Sequence, residues 1–317
     1  MTVRNWAELD QEGRSRHRFD FSFTVLSSDD AARTITVSLE PDPRRYFVTT
    51  EGDNRLYVDR FLSIAIPEEV VQEMMKSHLT GLPISYAPPE IGSSSTYAIS
   101  RREALEREAG GADYIPPSEK AHPQKELFEE SEVDFVSFIS VDLVGSSRLR
   151  NEYGEKFDLA YSIFLRELMT TVGQFRGSVL NVTGDGFIAY IDLPGFTTQC
   201  DNTIDLGLTF LKLLRESINP VLALQGLPAF KIRIGADVGK AVKRPIQIKA
   251  TNFESFDIGS AALNRAVKIE NEAQSDQFLI GQNLYELIHV GWLERCVLAV
   301  VDGESIGSPG YEIYEVS

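Results

Sequence analysis

Cysteine, histidine and positive charge are scarce in this chain. Its 317 residues include two cysteines, Cys200 and Cys296, and four histidines. The cysteines have no metal-type spacing, so they predict reduced core thiols in a cytosolic protein rather than a disulfide framework. His17, His78 and His122 stand isolated, and each reads as an ordinary surface or core side chain. Lys and Arg number 31 against 47 Asp and Glu, a net charge of −16. That balance argues against non-specific binding to nucleic acid and against an anionic membrane surface. It also means that a site for a polyanionic substrate must bring its own cations, either metal ions or locally placed Lys and Arg. Met1 to Asp20 is charged and lacks an apolar signal region. No apolar run approaches the roughly 20 residues of a membrane span, so a soluble, cytoplasmic protein is expected.

The rest of the composition, 43% hydrophobic and 25% charged, is that of a globular chain long enough for two domains. Alternating apolar residues predict strands at Phe19–Val25, Thr34–Leu39 and Tyr57–Ile64, with a short helix opening at Pro67 and a charged helix over Arg101–Glu108. Gly110–Glu132 is polar and aperiodic and reads as a linker. Residues 1–130 are therefore expected to form a small α+β domain of undisclosed role plus that linker. From 131 to 317 the texture changes. A strand at Phe135–Val141 runs into Asp142-Leu143-Val144-Gly145-Ser146-Ser147, and a helix is expected from about Arg148 to Phe175. Val179-Leu180 and Phe187–Ile191 flank Asn181-Val182-Thr183-Gly184-Asp185-Gly186, a hairpin signal in which Gly186 is expected to take the positive φ. A second helix over 201–218, a strand at Lys231–Gly239, a third helix over Ala261–Ala273 and a strand at Tyr311–Val316 complete an α+β sheet flanked by helices.

Asp142 stands at a strand end and Asp185 in a tight turn about forty residues later. If the strand pairs beside the hairpin, the two carboxylates share one small volume, and a divalent cation between them would relieve their repulsion. The Leu143 and Val144 carbonyls are natural extra ligands, and Gly145 with Ser146 lets phosphates approach the backbone.

These motifs resemble the class III nucleotidyl cyclases. The family's Asp-Ile-x-Gly-Phe-Thr corresponds to Asp142–Ser147, and its Thr-Ile-Gly-Asp to Thr183, Gly184 and Asp185. Its Asp-x-x-Gly-x-x-Val-Asn-x-Ala-x-Arg corresponds to Asp257–Lys268, with the Gly moved one place and Lys268 at the Arg. Its Arg-Val-Gly-Ile strand corresponds to Arg233–Ala236. The resemblance covers about 133–317. It implies a cyclase catalytic domain with two divalent ions, Mn²⁺ or Mg²⁺, on Asp142, the Leu143 carbonyl and Asp185. It further implies that Arg233 contacts the triphosphate, that Asn264 orients the ribose, and that Lys268 neutralises charge at the α-phosphate. Composite sites across a homodimer follow from the same likeness. Lys268 is a point charge where the family has a planar fork. The family's C-terminal phosphate-binding Lys has no counterpart at Asp302–Ser305, so phosphate neutralisation is expected to rest more heavily on metal, Arg233 and Lys268, with Arg148 or Arg265 as a helper.

In adenylate-type members a Lys, and in guanylate-type members a Glu, reads the base at the place of Asn181; its partner position is Asp257. Asn donates or accepts, whereas ionised Asp only accepts. Uracil fits that pair through O4 and N3–H. Cytosine also fits, offering its amine to Asp257 and its N3 to the Asn181 amide. With Ser140–Ser147, this chain most resembles the bacterial pyrimidine cyclases of the Pycsar anti-phage system, which make cyclic UMP or cyclic CMP as an alarm signal. The expected activity is thus conversion of UTP to cyclic UMP. A cytidylate or adenylate cyclase and a catalytically inactive nucleotide-binding sensor are the alternatives. A phosphatase-like or polymerase-palm pair has no place for the 257–268 run.

Overall fold

The computed structural model describes residues 3–9, 16–29, 34–79, 88–125, 132–193, 195–301 and 303–317. Residues 126–131 of the expected linker, the His78 side chain and Asp302 lie outside the described part. Packing divides the chain into two compact units, Met1–Tyr86 with Glu286–Glu294, and Ala87–Tyr285 with Arg295–Ser317. The division by packing therefore falls ahead of the boundary expected at 130.

In the first unit β1 (Arg4–Asn5), β6 (Ile64–Pro67), β5 (Asn54–Asp59) and β4 (Tyr46–Glu51) form a four-stranded sheet in that order. A separate ribbon pairs β2 (Phe21–Asp29) with β3 (Thr34–Pro41), and α1 (Glu68–Leu79) follows, with Glu68 and Glu69 in its favourable first turn. The strand expected over Tyr57–Ile64 is split. The Asp59 carboxylate accepts the N–H groups of Phe61 (2.9 Å) and Leu62 (3.0 Å), which turns the chain between β5 and β6. Trp6, Tyr46, Ile64, Ile66 and Val71 form the apolar core. Beside it the buried Arg45 bridges Asp20 and Asp59 at 2.8 Å each. The Val290 N–H donates to Asp20 (2.9 Å) and Arg18 donates to the Leu287 carbonyl (3.0 Å), so Glu286–Glu294 completes this unit from far along the chain. His17 is a core histidine, its pKa lowered to about 4 by burial and by Arg45.

The second unit is built on one mixed sheet. Its strands are β7 (Glu132–Leu143), β8 (Ser178–Thr183), β9 (Gly186–Ile191), β10 (Ile232–Ile248), β11 (Phe253–Gly259), β12 (Gln277–Gly281), β13 (Cys296–Leu298) and β14 (Ile313–Val316). Their order is β13-β14-β12-β10-β7-β9-β8, with β11 paired to β10. The β10–β12 pair is parallel and the others antiparallel. Its helices include α2 (Ser94–Ala109), α3 (Ser146–Tyr153), α4 (Glu155–Gln174), α5 (Phe196–Leu213), α6 (Asn219–Leu224) and α7 (Ala261–Glu272). This is an α+β fold with helices on a mixed sheet.

Two departures from the sequence reading have local causes. The single helix expected over 148–175 is broken between α3 and α4 at Gly154, whose φ of 55° no helix interior tolerates. The stretch expected as a free linker is held, over its described residues, against the second unit. Arg101 of α2 pairs with Glu167 (2.7 and 3.0 Å) and donates to the Ile115 carbonyl (2.9 Å). The His122 N–H donates to the Gly173 carbonyl (2.9 Å), and the Gln124 side-chain Oε1 accepts from the Val179 N–H (2.9 Å). Polar groups anchor this strap, so no apolar periodicity marks it. Among the described residues no helix is long and apolar enough to cross a membrane.

Beneath the site, α7 packs on the sheet through Ala262 and Ala266 against Val136, Phe138, Tyr190, Ala241 and Ile258. The small helix residues bring the two backbones close. At Gly235 of β10 an added Cβ would lie 2.3 Å from the Ala266 carbonyl oxygen and 2.2 Å from the Glu270 nitrogen. That contact sets where Glu270 stands.

Candidate active site

Asp142 is the penultimate residue of β7, paired with Gly186 of β9 on one side and Arg233 of β10 on the other. Directly opposite residues in antiparallel strands share a face, so Asp142 and Arg233 point the same way. The β8–β9 turn is Gly184-Asp185, and the Leu143 N–H donates to the Asp185 carbonyl (3.2 Å), tying the turn to the end of β7. The positive φ that the sequence reading gives to Gly186 belongs to Gly184, at 53°. Gly186 has a different reason to be glycine. A Cβ there would lie 2.0 Å from the Val141 carbonyl oxygen and 2.9 Å from the Asp142 Cα. Its bare backbone is what lets the turn press against β7 and sets Asp185 beside Asp142. Gly186→Ala is therefore expected to push the turn away. The overpacking should cost about 1–3 kcal/mol in denaturant unfolding, and activity should fall further than that stability loss explains.

The two acidic side chains do converge. Burial lifts the Asp142 carboxyl above its ordinary range; the Arg233 guanidinium opposes this, and the neighbouring Asp185 charge lifts it further. Arg233 donates to Asp142 (2.5 Å) and to the Asn271 carbonyl (3.3 Å), and its Nε lies 3.2 Å from Glu270. Ser146 donates to Asp185 (2.6 Å). Gly145, with φ of 71°, turns the chain between β7 and α3.

Glu270 is the site residue that sequence reasoning missed. It is buried on α7, and burial pushes its carboxyl up to about 7, opposed by Arg233 and reinforced by Asp142 and Asp185. The signal was available: an acidic side chain four residues after Ala266, on the apolar stripe of an amphipathic helix.

A second group of expected residues meets elsewhere on this unit. Asn181 and Asp257 line one cleft of about 720 Å³, together with Leu180, Ile188, Phe256 and Leu263. Asn181 reaches it because a bulge between Val179 and Asn181 shifts the β8 register. Asp257 reaches it because β10 runs past the expected Gly239 to Ile248 and folds back as β11.

Asn264 and Lys268 stand one turn apart on the exposed stripe of α7. Lys268 Nζ donates to the Ile306 carbonyl (2.9 Å). Among the described residues no hydrogen bond or ion pair joins either side chain to Asp142 or Asp185 of the same chain. Arg265, expected as a phosphate helper, is committed inward instead. It donates to the fully buried Asp237 (2.5 Å), which also accepts from Tyr311 (3.0 Å). A guanidinium that leaves this pair strands a buried carboxylate, so it is not available to a substrate. Arg148 stays near the loop, its Nη2 4.0 Å from the place of a Gly145 Cβ.

The carboxylate pair suits a hard divalent ion. Two acidic oxygen groups lie together, and Arg233 already supplies a positive charge to one of them. Among the described residues no group of three His, Cys, Asp or Glu side chains gathers for an ion. Two carboxylates fit a hard ion that takes one or two such ligands and keeps several waters, as Mg²⁺ does.

No family profile and no curated protein sequence matches this chain. Solved structures do match its fold. The guanylate cyclase domain of RhGC from Catenaria anguillulae, determined in complex with GTP, is 13% identical with a TM-score of 0.50; the match covers 59% of this chain and 98% of that one. The adenylyl cyclase CyaB from P. aeruginosa is 17% identical, also with a TM-score of 0.50, over 58% of this chain and 94% of its own. With Asp142 at a strand end beside the β8–β9 turn and α7 laid across β10, the chain contains the fold of class III nucleotidyl cyclase catalytic domains.

Proposed function

We propose that this protein is a nucleotidyl cyclase that converts UTP to 3′,5′-cyclic UMP and pyrophosphate. The observation that carries the reading is the convergence of Asp142 and Asp185, with Arg233 held against them, on a fold shared with cyclase domains. Asp142, Asp185 and the Leu143 carbonyl would hold two divalent ions, Mn²⁺ or Mg²⁺. Such ions lower the pKa of a ribose 3′-hydroxyl and neutralise a triphosphate.

The remaining work falls to the side chains. Arg233, fixed between Asp142 and Glu270, places a permanent positive charge where the polyphosphate arrives. Asn264 orients the ribose, and Lys268 exchanges its carbonyl partner for the α-phosphate. The 3′-oxygen attacks the α-phosphorus as pyrophosphate leaves, a reaction governed by positioning and charge stabilisation. Asn181 and Asp257 read the base from their shared cleft. Asn264 and Lys268 serve the carboxylates of a second chain, which makes the active protein a homodimer with two composite sites. Residues 131–317 then form the catalytic domain. The likeness to the Pycsar enzymes gives cyclic UMP the role of a second messenger in anti-phage defence within the cytoplasm.

Incubation with each of the four ribonucleoside triphosphates and Mn²⁺, followed by pyrophosphate release and chromatography of the product, tests this directly. The expected result is consumption of UTP ahead of CTP, ATP and GTP. Preference for ATP would assign Asp257 to adenine, and nucleotide binding without pyrophosphate release would make the protein a sensor.

A further inference from the structure

Directly across from Asp257, on β10, stands Arg244. The two side chains share a face of the hairpin, yet the guanidinium is not folded onto the carboxylate. It lies across Gly259, with Cζ, Nη2 and Nε at 2.5, 2.7 and 2.8 Å from the place a Cβ would occupy. Gly259 is thus glycine for space. This accounts for the glycine that stands one place early in the Asp257–Lys268 run. Ser260, at the displaced position, caps α7 instead. It accepts from the Leu263 N–H (3.3 Å) and donates to the Lys240 carbonyl (2.8 Å). Among the described residues neither the Arg244 nor the Asp257 side chain has a hydrogen-bond or ion-pair partner, and both residues are exposed. A cation and an anion held side by side but not spent on each other, in a chain of net charge −16, are placed for a ligand.

We infer that Arg244 is a third base-reading residue, donating to a carbonyl that neighbours the N–H accepted by Asp257. The inference rests on the pyrimidine cyclase reading above and adds to it the residue that separates uracil from cytosine. The edge of uracil runs O4, N3–H, O2, which is acceptor, donor, acceptor. An Asn181 amide, the Asp257 carboxylate and a donor-only Arg244 present donor, acceptor, donor. Cytosine runs amine, N3, O2, and in the same pose it sets its N3 lone pair against the Asp257 carboxylate. With only Asn181 and Asp257 the two pyrimidines fit by different poses. Arg244 does not line the cleft while it lies over Gly259; swung toward the facing Asp257, its guanidinium takes the O2 end of the edge and holds the pose that favours uracil. A polar site left unpaired by the wrong ligand rejects it strongly.

The test compares Arg244→Ala, Arg244→Lys and Gly259→Ala with the wild-type full chain. Gly259→Ala displaces the guanidinium by placing a methyl where it lies, and a flexible arginine end can swing aside without disturbing the strands. Steady-state kcat and KM are measured for UTP and CTP with Mn²⁺. Calorimetric binding of the same two nucleotides carries the same comparison if turnover is absent. The UTP-over-CTP ratio should fall by about tenfold or more in both alanine variants, through KM or Kd for UTP. Arg244→Lys, which keeps charge but not the fork, should recover part of it. An unchanged ratio in two folded variants overturns the role of Arg244 while leaving the cyclase reading in place. A wild-type protein that prefers CTP or a purine overturns it together with the uracil assignment. Absent pyrophosphate release with an altered binding ratio removes the cyclase activity but sustains the base-reading role.

Discussion

Asp142→Ala protein is expected to fold and to lose formation of cyclic product by at least about 10²–10³-fold, the scale set by removing one preorganised charge-stabilising group. The fold should survive because the residue contributes little to packing. It lies next to the end of a strand whose core side chains are Val136, Phe138, Ile139, Val141 and Leu143, all of them retained. Burial and the adjacent Asp185 both disfavour a charge at Asp142, so its removal relieves a local repulsion. Arg233 keeps Glu270 at 3.2 Å and the Asn271 carbonyl at 3.3 Å. The melting temperature should therefore move by only a few degrees, the shift that about 1 kcal/mol gives in a protein of this size. Asp185→Ala should behave alike in turnover. Pyrophosphate release with the wild-type substrate measures the loss, and circular dichroism on the same sample measures the fold. Retention of more than about a tenth of wild-type turnover in well-folded Asp142→Ala would detach the carboxylate pair from catalysis.

Mixing inactive Asp142→Ala with inactive Lys268→Ala protein is expected to restore activity to about a quarter of the wild-type value. Free exchange of chains in equal amounts makes about half of the dimers heterodimers, and each of those carries one intact composite site of two. The physical basis is the orientation of α7. Its buried stripe of Ala262, Ala266, Ile269 and Glu270 packs on its own sheet, while Asn264 and Lys268 lie on its exposed face. Lys268 donates to the Ile306 carbonyl, and among the described residues neither side chain is tied to Asp142 or Asp185 of its own chain. Groups so placed can face a second copy, as the proposed composite sites require. Activity that stays at the level of the separate variants after prolonged co-incubation would confine each site to one chain.

Much of the site was legible because its motifs are local. Asp142 at the end of an apolar strand and Asp185 in a short turn between apolar runs needed only strand periodicity and turn chemistry. Glu270 was harder to see. Its place beside Arg233 depends on how closely α7 lies on β10, which Gly235 and Ala266 decide together from 31 residues apart. Arg265 shows the opposite error. Its charge and position suggested phosphate, but a buried Asp237 on a neighbouring strand claims it. The reach of β10 to Ile248 escaped notice because Lys243, Arg244 and Pro245 interrupt its apolar pattern, and the strap at 112–125 because it carries no apolar period.

What the sequence determined by itself was the inventory and the order: strand, turn carboxylate, strand with Arg233, then the helix bearing Asn264 and Lys268. Periodicity and turn residues act between near neighbours, so they can be read along the chain. Tertiary structure decided the partners. It placed Gly186 against Val141, Arg233 between two acids, Arg244 over Gly259, and Glu286–Glu294 in the N-terminal unit. Each of those contacts joins residues whose proximity comes from backbone approach and pairing register, and these are fixed only when the whole sheet and its helices pack together.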